Sequence, residues 1–312
     1  MALHTFLSVL ATNVTPSNES GFYMIMLLVC YSLGTGIRPI WTAVINWVFN
    51  SDGPNVCNIM PAMSFAVTWA AVSIVVPFTI PDDVVIARLK QSRDDAASAQ
   101  AEEKTELAAL AHMTRVRIYC KGVIYGLERA FVVAAIESGT AFILKNEFKW
   151  ASLPTGYAVG GSLTFALPLA VLIFILKQCF GCRDVVFMRM GSMVAVLSTI
   201  FLYSQVSDAL HASSDTAALI IITADSVIFA ATYLTNGIVD SFVVQAALND
   251  SVYSVNNFAV AGGCAMYVMR FFGAPLSRTL LVHGRVYYAT MQLALAVCGH
   301  FMVTDIEAMV SK

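Results

Sequence analysis

Residues 156–177 read GYAVGGSLTFALPLAVLIFILK, a run whose only charge is the closing Lys177. As a helix rising 1.5 Å per residue it would extend about 33 Å, the thickness of bilayer hydrocarbon. Its apolar residues are continuous rather than alternating, which predicts a helix and not a barrel strand. Comparable runs are expected at 117–142, 186–204, 217–239, 255–274 and 285–304, with two more at 21–50 and 60–80. Backbone inside lipid must satisfy its own hydrogen bonds, so the expected fold class is all-α: a polytopic transmembrane helix bundle of about eight spans.

The composition points the same way. Of 312 residues, 58% are hydrophobic and 12% are charged, and the mean hydropathy is +0.73. A soluble domain carries about twice that charged fraction, so the missing surface charge implies that the lipid bilayer is the main partner. A net charge of -2 supplies no basic field, and no nucleic-acid partner is expected.

The seven cysteines lie mostly in apolar stretches and imply no disulfide framework. Cys179-Phe180-Gly181-Cys182 is a single CxxC without a second pair, and the five histidines show no ligand spacing, so no metal is expected. There is no HExxH, Walker, GxSxG or dinucleotide motif, hence no enzyme and no cofactor. The opening MALHTFLSVLA lacks a basic n-region, and the first long apolar element is expected to serve as an uncleaved signal.

Three regions follow. Residues 1–80 hold two N-terminal spans, the first interrupted at Arg38-Pro39 and the second stopped by Pro81-Asp82-Asp83. Residues 81–116 form a polar connector, with a surface helix expected near 96–113 in RLKQSRDDAASAQAEEKTELAALAHM. Residues 117–312 form a six-helix transmembrane bundle. Arg88, Lys90, Arg93, Lys104, Arg115, Arg117, Lys177, Arg183 and Arg189 fall on one side, whereas 205–216 has no Lys or Arg. The positive-inside rule therefore favours cytosolic ends, against Arg278, Arg285 and the triplets Asn13-Val14-Thr15 and Asn18-Glu19-Ser20.

Charges within spans are the candidate functional residues, because burying one without a partner is costly. The third span, IYCKGVIYGLERAFVVAAIESGTAFIL (118–144), carries Lys121, Glu128, Arg129 and Glu137. Arg129 and Glu137 lie broadly on one side, near Gly122, Gly126, Ala130 and Ala134, which allow another helix to approach. In the sixth span Asp225, Thr232, Asn236 and Asp240 recur on one face. Arg38 in GTGIRP and Arg270 in YVMRFFGAP are the remaining intramembrane bases; glycine and proline open the backbone around them, or Arg270 snorkels to the interface. Arg38, Glu128, Arg129, Glu137, Asp225 and Asn236 are the expected solute or ion pathway. The competing reading is that such charges form interhelical ion pairs.

The segment YGLERAFVVAAIESGTAFILKNEFKW (125–150), followed by TGYAVGGSLTFALPLAVLIF (155–174), resembles the seventh and eighth helices of some members of the major facilitator superfamily. That resemblance implies a partial major facilitator-like fold: 81–113 is the loop between two bundles, and the six later spans are the second bundle. The turn KQCFGCRDVVFMR (177–189) echoes the family's loop motif only at Gly181, Arg183 and Asp184, in a different order. The two early spans map to the fifth and sixth helices, and the four before them have no counterpart in this chain.

The implied function is a secondary transporter of a small solute by alternating access, coupled to a proton or other ion. The solute would be an organic anion if Arg129 and Arg38 face the cavity. The path would be completed by helices of a longer protein or a dimer mate. The alternative is a noncatalytic structural subunit packed among other membrane subunits.

Overall fold

The computed structural model describes residues 110–248 and 251–311, together with 36–37, 39–42, 44–45 and 67. Arg38, most of both early spans and most of the connector with its expected surface helix lie outside the described residues. Among the described residues the chain is helical, with no strand.

Helix α1 spans His112–Asn146. The chain turns at 147–151 and enters α2, Ser152–Thr164, with Pro154 in its first turn, where a missing N–H disrupts nothing. After Phe165 it continues as α3, Ala166–Phe180. The interruption has a local cause: Pro168 lacks an N–H and its ring crowds the carbonyl four residues back, at Thr164. Helix α4, Asp184–Thr199, runs into a 3-10 turn at Ile200–Leu202 and the short α5, Ser204–Ala209. Then come α6, Ser214–Ala246, α7, Val255–His283, and α8, Arg285–Val310.

The helix ends are written locally. Ser213 and Ser254 accept the backbone N–H groups of Thr216 and Asn257 and cap α6 and α7. Gly181 takes a left-handed conformation (φ 62°) and ends α3, and Lys177 pairs with Asp184 at 2.5 Å across the turn. Between α7 and α8 lies Gly284 alone, at φ 144°, a conformation side-chain-bearing residues rarely adopt.

Five stretches are long and apolar enough to cross a bilayer: Ser152–Lys177, Asp184–Leu202, Ser214–Ala246, Val255–His283 and Arg285–Val310. This is an integral, multi-pass membrane protein. Helix α1 is too charged to join them by composition, but it lies alongside them from end to end. Tyr119 bonds the Ser254 carbonyl of α7, Lys121 pairs with Asp305 of α8, and Thr140 donates to Asp225 of α6. It therefore crosses with them.

The pairings give the directions. Residues 119 and 138 of α1 meet 254 and 278 of α7, so these two run parallel. Residues 121 and 139 meet 305 and 288 of α8, which runs the opposite way. Helix α4 is antiparallel to α8, through Ser192–His300 and Arg189–Glu307. Each crossing thus reverses the one before it.

Helix α6 sits at the centre, buried on every side from 228 to 239. The outer faces of α3, α4 and α7 expose large apolar side chains such as Val171, Phe174, Met190, Leu197, Phe271 and Phe272, which suit lipid. Lipid does not drive apolar helices together, so close packing must do so. A Cβ on Gly139 would sit 2.8 Å from the Tyr288 ring, and one on Gly273 2.7 Å from the Phe131 carbonyl oxygen. One on Gly122 would collide with Val243, whereas Gly126, expected as a point of close approach, meets nothing within 4 Å. In the GTGIRP segment, Gly36 lies against Gly160 of α2, where an added Cβ would fall 2.7 Å from the Gly36 carbonyl oxygen. Helix α7 continues unbroken through Pro275, so the expected opening of the backbone near Arg270 is not found.

Candidate functional site

Arg129 lies at the midpoint of α1, and its side chain turns toward α6. It is 6% exposed, and its guanidinium carbon sits 5.3 Å from the centroid of the Tyr233 ring, a cation–π contact. Glu128, one residue and about 100° earlier around the helix, turns instead toward α8. Its carboxylate carbon would stand 3.4 Å from a Cβ on Gly299, so that glycine makes room for it. Tyr125, on the preceding turn, also packs on Gly299 and is in electrostatic range of Glu128, Arg129 and Asp240. Asn236 of α6 is fully buried and donates its amide to Asp240 at 2.5 Å.

These residues form one polar layer where α1, α6 and α8 meet. Three of its buried polar atoms have no hydrogen-bond partner among the described residues: Glu128 Oε2, Arg129 Nη1 and Asn236 Oδ1. One donor and two acceptors are thus left over in the buried interior midway along α1, where an unmade hydrogen bond is costly.

Asp225 lies elsewhere. It is eleven residues before Asn236 on α6, about 16 Å along the axis. It is fully buried, accepts a hydrogen bond from Thr140 of α1, and faces Arg285 at the start of α8. Arg285 donates to the Leu202 carbonyl at 2.6 Å and lies 3.6 Å from Glu147. Tyr288 and Gln292 complete this second layer, the Gln292 amide donating to the Tyr288 hydroxyl at 3.3 Å. The same eleven-residue interval recurs on all three helices, from Arg129 to Thr140, Asp225 to Asn236, and Tyr288 to Gly299. The two layers are therefore stacked along one three-helix seam.

Glu137 joins neither layer. It pairs with Arg270 of α7 at 3.4 Å, and Arg278 donates to the adjacent Ser138 at 2.8 Å. Arg270 therefore reaches a carboxylate instead of snorkelling to the interface. Of the six expected pathway residues, the structure brings Glu128, Arg129 and Asn236 together, places Asp225 in a separate layer and Glu137 in the α1–α7 contact, and does not describe Arg38. The sequence reading missed Tyr125, Tyr233, Thr140, Tyr288 and Gln292. Tyr125 had a legible signal, being four residues before Arg129 on the same helical face.

No known family model matches the chain, and no curated protein matches it. The fold and sites therefore rest on the geometry above.

The Glu137–Arg270 pair offers a direct energetic check. Glu137→Ala and Arg270→Ala should each destabilise the bundle, and the double variant should lose less than the sum. A coupling of about 1–2 kcal/mol is expected for a contacting pair. Thermal unfolding in detergent would measure it, and strictly additive losses would show that the contact carries no energy.

Proposed function

We propose that the protein is a secondary transporter of the major facilitator type, moving a small solute by alternating access with coupling to a proton or ion gradient. The solute passes at the layer around Arg129. Support comes from the three unpartnered atoms of that layer, Glu128 Oε2, Arg129 Nη1 and Asn236 Oδ1. Lys121–Asp305 and Arg270–Glu137, by contrast, close their hydrogen bonds among the described residues, whereas the Asp225 layer also leaves Asp225 Oδ1, Arg285 Nη2 and Gln292 Oε1 open. A site that takes up and releases a polar guest leaves some hydrogen bonds open to it.

The architecture agrees with this reading. Support also comes from the six crossings among the described residues, the number in the second bundle implied by the family resemblance, and from Arg129 at the midpoint of α1, which suits a midplane site. Partner helices, such as those of a second copy, supply the facing wall. Lys177, Arg183 and Arg189 lie at the end of the bundle that also holds Arg115 and Arg117, which makes that end cytosolic.

Solute counterflow tests the proposal. Proteoliposomes preloaded with unlabelled solute should transiently accumulate the labelled form against its gradient, which neither a pore nor a structural subunit can do. Failure of every solute class to show counterflow would favour the second reading, a noncatalytic subunit. The observation on that side is Glu137–Arg270, an ion pair that ties α1 to α7 without forming a path.

A further inference from the structure

The charges of the Arg129 layer do not suit an anion. Around Arg129, the one cation of the layer among the described residues, stand two carboxylates, Glu128 and Asp240, so the layer carries net negative charge when both are ionised. An anionic solute would satisfy Arg129 Nη1 and leave both acids facing like charge. A simple organic cation would suit the acids but crowd Arg129 and leave Nη1 unmet. A neutral polyol could hydrogen-bond at both places, but it would offset neither charge in a medium where charges are poorly solvated.

The orientation of Asn236 sharpens the pattern. Its amide nitrogen is committed to Asp240, so the oxygen it leaves unpartnered is an acceptor by constraint. Tyr233 covers one face of the guanidinium, which leaves its edge to meet a carboxylate. Two acceptors, one of them a carboxyl oxygen, therefore accompany one charged donor.

Resting on the transport reading, we infer that the solute is a small zwitterion, its carboxylate bound at Arg129 and its ammonium at Glu128 and Asn236. Only a molecule with both groups completes all three hydrogen bonds while setting an opposite charge beside Arg129 and beside Glu128. Asp240 is a positioning residue, because it acts through the Asn236 amide.

The test uses the full chain, purified in detergent for thermal-shift binding and reconstituted for counterflow. Six probes suffice at equal concentration: L-alanine, β-alanine and γ-aminobutyrate as zwitterions of increasing charge separation, then propionate, propylamine and glycerol. At least one zwitterion should raise the melting temperature and show counterflow, while the last three do neither. Glu128→Gln should weaken binding of that zwitterion about tenfold or more, as expected for loss of a charge-assisted contact. Glu128→Gln keeps the size and hydrogen-bonding oxygen of the side chain, so folding is preserved.

Counterflow of propionate, propylamine or glycerol without any zwitterion would overturn the inference and leave the transport reading standing. Binding of a zwitterion without counterflow would support the site and overturn transport. Absence of any shift with all three zwitterions would overturn the inference, and the atoms in question would then be met by water.

Discussion

Arg129→Ala is expected to abolish counterflow and to destabilise the bundle by about 3–5 kcal/mol, the usual cost of stranding one side of a buried charge group. The substitution leaves Glu128 and Asp240 without their nearby cation and removes the stack on Tyr233. Arg129→Lys separates the two effects. It restores a positive charge, so much of the stability should return, but a compact ammonium cannot present a planar edge to a solute while stacking on an aromatic ring. Counterflow should therefore stay impaired in Arg129→Lys after stability has recovered. Rates in proteoliposomes and unfolding in detergent would report the two quantities independently. Near-normal counterflow in Arg129→Ala would remove this layer from the transport path.

The second large effect concerns packing, and it reverses sign along one helix. Gly273→Ala should destabilise the protein by about 1–3 kcal/mol, because its Cβ would fall 2.7 Å from the Phe131 carbonyl oxygen and 3.1 Å from Ala134 Cβ. The obstacle is backbone, which no rotamer change relieves, so α7 must move away from α1. Gly262→Ala on the same helix meets no described atom within 4 Å. There the helix preference for alanine should prevail and stabilise by up to about 1 kcal/mol. Melting temperatures of the two variants in one detergent should lie on opposite sides of the parent. Stabilisation by both would mean that α1 and α7 do not approach as closely as described.

Much of the architecture was legible beforehand. The spans expected at 156–177, 186–204, 217–239, 255–274 and 285–304 all fall on membrane-length helices, because hydropathy is a local property that a window of twenty residues contains. The expectation for 117–142 also falls on a helix, α1, although that helix is too charged to be recognised by apolarity. Its charges are tolerated because it is flanked by α6, α7 and α8.

The site was only partly legible. Arg129 and Glu137, eight residues apart, were expected on one side, yet that spacing leaves them about 80° apart around the helix. In a crowded bundle 80° is enough to address different neighbours, and they reach Tyr233 of α6 and Arg270 of α7 respectively. Asp225 and Asn236 do share a face, but the axial distance between them puts them in separate layers. Arg285, weighed beforehand only as a charge bearing on orientation, is buried against the Leu202 carbonyl.

By itself the sequence determined that this chain lives in a bilayer, where most of its helices run, and which charges are unusual enough to matter. Each of those depends on side chains weighed against water or lipid over a short stretch. Only the tertiary structure decided which charges are spent on one another and which are left facing an open partner. That choice depends on the rotation and depth of helices a hundred residues apart, and no local window contains it.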